Sequence, residues 1–149
     1  MSMRPPAGRD SRRVSKIAIL VVFAAVFPGW ANAQATSGEV PKQVHLVVDG
    51  NRLVASNVRY SRFDELKLDA QESVRDTSTG EAVIVVVTNQ RIIAYGVVSG
   101  WRAVDRFPNE RIESVSAQDF AGLVVTTRRM LNFNGESGVW GERARRVSP

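Results

Sequence analysis

Three stretches of the chain share one pattern of apolar and polar positions. In each, two valines precede Asp or Thr, two turn-forming residues, an arginine and two apolar residues; the stretches are 47–55, 86–94 and 124–132. Their arginines lie 39 and 38 residues apart, and a large aromatic residue follows each arginine by 10 or 11 positions. The arginines are Arg52, Arg91 and Arg129, and the aromatic residues are Phe63, Trp101 and Trp140. A period that recurs three times in one order predicts a repeat architecture.

Each repeat unit is predicted to be β-structure. The apolar residues are mostly β-branched, follow a period of two and form runs of about five that end at turn residues. Four strands are predicted in each of the first two units and three in the third, the last of them at 139–145. The predicted strands of the first unit are 44–48, 52–56, 62–68 and 72–76. Those of the second unit are 83–87, 91–95, 101–107 and 112–117. Residues 83–87 are rich enough in valine to predict a strand buried on both faces. The units span about 44–80, 82–119 and 122–146.

Four short antiparallel strands in about 40 residues resemble the blade of a β-propeller. The shared features are an apolar innermost strand, a Thr/Asn turn and the Gly100-Trp101 pair before the third strand. Neither a kelch double glycine nor a G-H…W-D signature is present, so no particular propeller family is indicated. The resemblance implies one all-β, three-repeat, propeller-like domain over residues 34–149. A β-trefoil, also built from three such units, is the alternative, and a pleckstrin-homology-like barrel would not require three equal periods.

Three blades are fewer than the four to eight of a closed propeller. Residues 35–40 could add the missing outer strand and close the ring within one chain. Alternatively, a homodimer could complete a six-bladed ring and cover the exposed sheet edge. The sequence leaves both arrangements open.

Residues 1–33 read as a cleaved signal peptide rather than as part of the fold. Five basic residues precede an uninterrupted apolar run at 17–27, and Ala31 and Ala33 supply the small residues of a cleavage site before Gln34. The run is shorter than the roughly 20 residues that span a bilayer, which argues against a stable membrane anchor. Residues 11–16 partly resemble a twin-arginine signal, although Ser15 stands where that signal usually has Phe. We therefore expect a periodic-repeat domain that is periplasmic or secreted.

Composition narrows the function further. The chain has no cysteine and a single histidine, His45, which excludes thiolate chemistry and leaves neither a metal site nor a cofactor indicated. Its formal net charge is +5, but without residues 1–33 there remain 15 basic and 14 acidic residues, a net charge of +1. The basic character thus belongs mainly to the signal, and no nucleic-acid partner is expected.

The repeated side chains are the candidate binding residues. Arg52, Arg91 and Arg129 could together surround an anionic ligand, but pairing of each with a local carboxylate or carbonyl is the favoured interpretation. Phe63, Trp101 and Trp140 could stack on sugars, but packing within the core is favoured for them. No catalytic residue is predicted.

Two functions follow from these observations. The first is an exported, non-catalytic binding or scaffolding module that recognises a protein or glycan surface; fold analogy is its main support. The alternative is a small periplasmic hydrolase that uses a pair of carboxylates. It requires two carboxylates within catalytic reach of each other in one pocket, from the candidates Asp64, Asp105, Glu110, Glu113 and Glu142.

Overall fold

The computed structural model describes residues 41–146, which form eleven β-strands and, within that range, no helix. The strands are β1 (Val44–Asp49), β2 (Arg52–Asn57), β3 (Arg62–Lys67), β4 (Val74–Thr79), β5 (Val83–Thr88), β6 (Arg91–Gly96), β7 (Gly100–Asp105), β8 (Ile112–Gln118), β9 (Ala121–Thr126), β10 (Arg129–Asn134) and β11 (Val139–Ala144). The all-β prediction is therefore confirmed. The predicted signal peptide and residues 35–40 lie outside the described range.

The strands form three antiparallel sheets in which neighbours along the chain are neighbours in space. Sheet 1 is β1-β2-β3, sheet 2 is β4-β5-β6-β7, and sheet 3 is β8-β9-β10-β11. Within the described range, the three sheets do not close into a ring. Sheets 2 and 3 approach each other most closely along β4 and β8.

Sheet 2 lies between the other two sheets. One apolar cluster joins it to sheet 1 through Leu53, Ile93 and Tyr95, and a second joins it to sheet 3 through Val85 and Leu131. Every residue of β5 is buried, as the valine-rich run predicted. Because strand residues alternate between faces, sheets 1 and 3 each have an outer face that points away from sheet 2.

The sequence period recurs in the backbone hydrogen bonds. Each sheet contains one hairpin, formed by β1–β2, β5–β6 or β9–β10, that is closed by the same hydrogen bond. The amide directly after the second strand donates to the carbonyl directly before the first: Val58 to Gln43, Val97 to Ala82 and Gly135 to Phe120, at 2.8–2.9 Å. Neighbouring sheets are joined at equivalent places, since the amides of Gln43 and Ala82 donate to the carbonyls of Glu81 and Asp119. The three units are thus structural repeats as well as sequence repeats.

The boundaries of the sheets differ from those of the predicted units by one strand. The predicted strand at 72–76 is β4, which begins two residues later and pairs with β5 of the next unit. The loop between β4 and β5 is only residues 80–82, whereas 68–73 separate β3 from β4. A short connection favours a hairpin between the strands it joins. The same correction applies to the predicted strand at 112–117, which is β8 and pairs with β9 of sheet 3.

Sheets 2 and 3 approach so closely at one point that only glycine fits. A β-carbon on Gly96 would lie 2.1 Å from the carbonyl oxygen of Gly135 and 2.4 Å from Oγ of Ser99. Ser99 Oγ itself donates to the Gly135 carbonyl at 2.9 Å. This contact fixes the loop of sheet 2 against that of sheet 3.

Candidate functional site

A buried carboxylate anchors the second repeated arginine. Glu72 is fully buried as a side chain and accepts hydrogen bonds from Nε and Nη2 of Arg91, at 3.0 and 2.7 Å. It also accepts from Thr88 Oγ1 at 2.7 Å and from the Asp69 amide at 2.8 Å. The loop that presents Glu72 turns through Gln71, whose φ is 61°. The cluster ties this loop to the β5–β6 hairpin.

The third repeat has the same cluster at equivalent positions. Glu110 accepts from Nε of Arg129 at 2.9 Å, from Thr126 Oγ1 at 2.8 Å and from the Phe107 amide at 2.8 Å. The Arg129 guanidinium also bonds Glu142 and lies 4.0 Å from the centre of the Phe107 ring. Its Nη2 donates to the carbonyl of Asp105 in sheet 2 at 2.6 Å. Arg129 therefore links two sheets.

The electrostatics of both clusters are those of structural ion pairs. Burial alone would raise the pKa of each glutamate, but hydrogen bonds from the arginine, a backbone amide and a threonine outweigh it. The pKa of Glu72 falls from 4.5 to about 2, and that of Glu110 is also lowered. A general acid requires the opposite shift, towards neutrality. These carboxylates stay ionised and bound.

Four of the five carboxylates considered for a hydrolase are held in ion pairs. Glu110 and Glu142 meet at Arg129, Glu113 pairs with Arg145, and Asp64 pairs with Arg62. Within residues 41–146 no group of acidic or histidine side chains is arranged to hold a metal ion. The geometry gives the hydrolase no acid–base pair in these contacts.

The first repeated arginine has different surroundings. Arg52 is half exposed and pairs only with Glu65 among the described residues, at 3.2 Å, where Glu65 is equally exposed. In the repeat alignment, the position of Glu72 and Glu110 corresponds to Ala33, outside the described range. The three arginines thus contact different carboxylates, and the structure brings no two of them to one shared partner.

The repeated aromatic residues also divide into two kinds. The ring centres of Trp101 and Tyr95 lie 5.0 Å apart, as do those of Trp140 and Phe133. Trp101 Nε1 also donates a hydrogen bond to the carbonyl of Asp64 in sheet 1 at 3.0 Å. Phe63 occupies the equivalent position in sheet 1 but is 72% exposed. Packing in the core, which was favoured for all three, is wrong for Phe63, because its face of sheet 1 is the outer face.

A polar network connects the core to the loop between β2 and β3. Tyr95 donates its hydroxyl to Asp64 at 2.5 Å, and Asn57 Nδ2 donates to the Tyr95 oxygen at 2.7 Å. Burial, and then the bond to Asp64, raise the pKa of Tyr95. Asn57 is almost fully buried, and its side-chain oxygen accepts from the Tyr60 amide at 3.2 Å. The loop is therefore held from inside the fold.

Residues 58–61 of that loop, together with Arg62 at the start of β3, are called the Tyr60 loop. Val58 and Tyr60 are 55% and 48% exposed. The guanidinium carbons of Arg59 and Arg62 lie 5.5 and 5.4 Å from the centre of the Tyr60 ring, and Arg62 Nε bonds Asp64 at 2.9 Å. Aromatic rings attract cations at such distances. The result is a preformed, basic and aromatic surface.

Sequence reasoning missed both Glu72 and the Tyr60 loop. The signal for the first was available, since a glutamate precedes each of Arg91 and Arg129 by 19 residues. The signal for the second was a departure from the repeat: the corresponding loops, 97–99 and 135–138, contain neither an arginine nor an aromatic residue.

Neither protein-family models nor curated protein sequences give a match to this chain. Among residues 41–146, no helix is long and apolar enough to cross a membrane.

Proposed function

We propose that this protein is an exported, non-catalytic binding module that recognises another protein through the Tyr60 loop. The observation that carries the proposal is the loop itself, in which two arginines stack on an exposed tyrosine. Tyrosine and arginine are among the residues most enriched at the positions that contribute most of the binding energy in protein interfaces. The preferred partner has carboxylates beside an apolar side chain, which match the guanidinium groups and the exposed Val58.

The ordered conformation of the Tyr60 loop also supports a role in protein binding. Asn57 holds the Tyr60 amide, and Asp64 holds Arg62, so the loop is ordered before a partner arrives. A surface ordered in advance loses less conformational entropy on binding. The ionised, fully paired states of Glu72 and Glu110 also favour a binding role over hydrolysis. The periplasm or the extracellular space is the proposed location, on the strength of the signal pattern.

The test is a screen of a displayed random-peptide library against the purified mature protein. We expect enrichment of acidic sequences with at least one large apolar residue. Tyr60→Ala and Arg59→Glu should each weaken the selected peptides at least tenfold. Val98→Ala, a matched change at an exposed valine in the corresponding loop of sheet 2, should leave binding unchanged.

Two results would overturn the proposal. One is a screen whose binders are insensitive to Tyr60→Ala. The other is a glycan array on which the protein binds in a Tyr60-dependent way while the peptide screen yields nothing, which would replace a protein partner by a glycan.

A further inference from the structure

We infer that two copies of this chain associate into a six-sheet ring, with the outer face of sheet 3 in one copy packed on the outer face of sheet 1 in the other. The outer face of sheet 1 includes His45, Val47, Val54, Ser56, Phe63 and Glu65. The outer face of sheet 3 includes Leu123, Val125, Met130, Asn132, Val139 and Arg143. No residue between 41 and 146 covers either face.

The repeat itself identifies what fits the outer face of sheet 1. In sheets 2 and 3, the face that carries the repeated arginine and tryptophan packs on the preceding sheet. The outer face of sheet 1 carries the equivalent residues, Arg52 and Phe63, but no described sheet precedes it. The matching surface is therefore a sheet face that lacks the repeated arginine. Among the described sheets, only sheet 3 has such a face uncovered.

The exposed apolar residues agree with this pairing. Phe63 and Val47 are 72% and 54% exposed on the first face, and Val139 and Leu123 are 61% and 41% exposed on the second. Exposed apolar positions gathered on one sheet face are typical of interaction surfaces. Phe63, Val47 and Leu123 are the repeat equivalents of Trp101, Val86 and Val85, which lie in the two internal interfaces.

Polar groups on the two faces are also complementary. Arg129 donates to the carbonyl of Asp105 across the internal interface, so Arg52 would meet the equivalent carbonyl, that of Ala144 in the other copy. The first face also carries Lys67 and Glu65, and the second carries Arg143. The orientation is therefore set by the repeat equivalence of the two faces and not by their net charge.

Two copies related by a twofold axis form this contact twice, which leaves neither face exposed. Six sheets fall within the range of four to eight that closed propellers use. Sheets 2 and 3 approach each other closely along β4 and β8, as neighbouring sheets of a closed ring do at the edge nearest its axis.

The test is the mass of the processed protein in solution, measured by sedimentation at several concentrations. The native protein is expected to be a dimer. Phe63→Glu and Leu123→Glu should each weaken dimerisation at least 100-fold, since each places a charge in the proposed interface. Val98→Glu is the matched control, at an exposed valine outside both faces, and Tyr60→Ala should also leave the mass unchanged, so that this inference and the proposed function fail separately.

Sedimentation of a mixture of the two charged variants is the most discriminating measurement. A heterodimer of Phe63→Glu with Leu123→Glu keeps one contact intact, so the mixture should associate more strongly than either variant alone. Circular dichroism confirms that both variants remain folded. A monomeric native protein, a dimer insensitive to both changes, no recovery on mixing, or polymers that grow with concentration would each overturn the closed ring.

Discussion

Replacing Glu72 by glutamine is expected to lower the free energy of unfolding by about 3 kcal/mol at pH 7. The change keeps the shape of the side chain but removes the charge that Arg91 and Thr88 are arranged to bind. The pKa of Glu72 is 4.5 in its ordinary state and about 2 in the fold. At about 1.36 kcal/mol per pKa unit, that difference gives the stated magnitude.

The effect must depend on pH in a defined direction. Because the folded-state pKa is lowered, the stabilisation is fully present above pH 4.5 and is lost as the pH falls towards 2. At pH 3, the difference between the native protein and Glu72→Gln should shrink to about 1.4 kcal/mol. Urea denaturation at pH 7 and pH 3 measures both values.

Asp69→Asn is the matched control, because Asp69 pairs with the same arginine, Arg91, but its side chain is 64% exposed and lies outside both faces of the proposed ring contact. Exposed pairs contribute less than about 1 kcal/mol, so this variant should stay close to the native protein at both pH values. An equal loss for Glu72→Gln at pH 7 and pH 3 would refute the electrostatic explanation and leave only altered packing.

Three further predictions concern the core, the sheet contact and the signal. Leu131→Ala should cost about 2–5 kcal/mol in denaturation experiments because Leu131 is fully buried. Val98→Ala, at an exposed valine outside both faces of the proposed ring contact, should cost less than about 1 kcal/mol; similar losses for the two variants would count against the three-layer packing. Gly96→Ala should lower the melting temperature sharply, while Gly141→Ala, where the nearest atom is 3.7 Å away, should be tolerated better; equal melting temperatures would contradict the close approach. The mass of the exported protein should correspond to a chain beginning at Gln34, and a mass that retains residues 1–33 would reject cleavage there.

The repeat and most strand positions could be predicted because alternation and turn residues act locally. Strand pairing could not be assigned correctly from the pattern alone, since β4 reads equally as the last strand of one unit or the first strand of the next. The lengths of the loops at 68–73 and 80–82 contained the missing information. Phe63 shows a second limit: it has the same repeat position as Trp101, and its exposure depends on whether a sheet lies beside it. The Tyr60 loop is a feature of one repeat, so averaging over repeats hides it.

The one-strand offset between sequence units and sheets determines where this chain can be divided. The joints between sheets fall at 68–73 and 106–111, where Ala70, Gln71 and Asn109 are exposed. A recombination crossover at either joint would exchange whole sheets between related chains. A crossover at 80–82, between the sequence units, would instead separate β4 from the strand it pairs with. For chimaeras or split-protein reporters, the useful module is therefore the sheet rather than the repeat visible in the sequence.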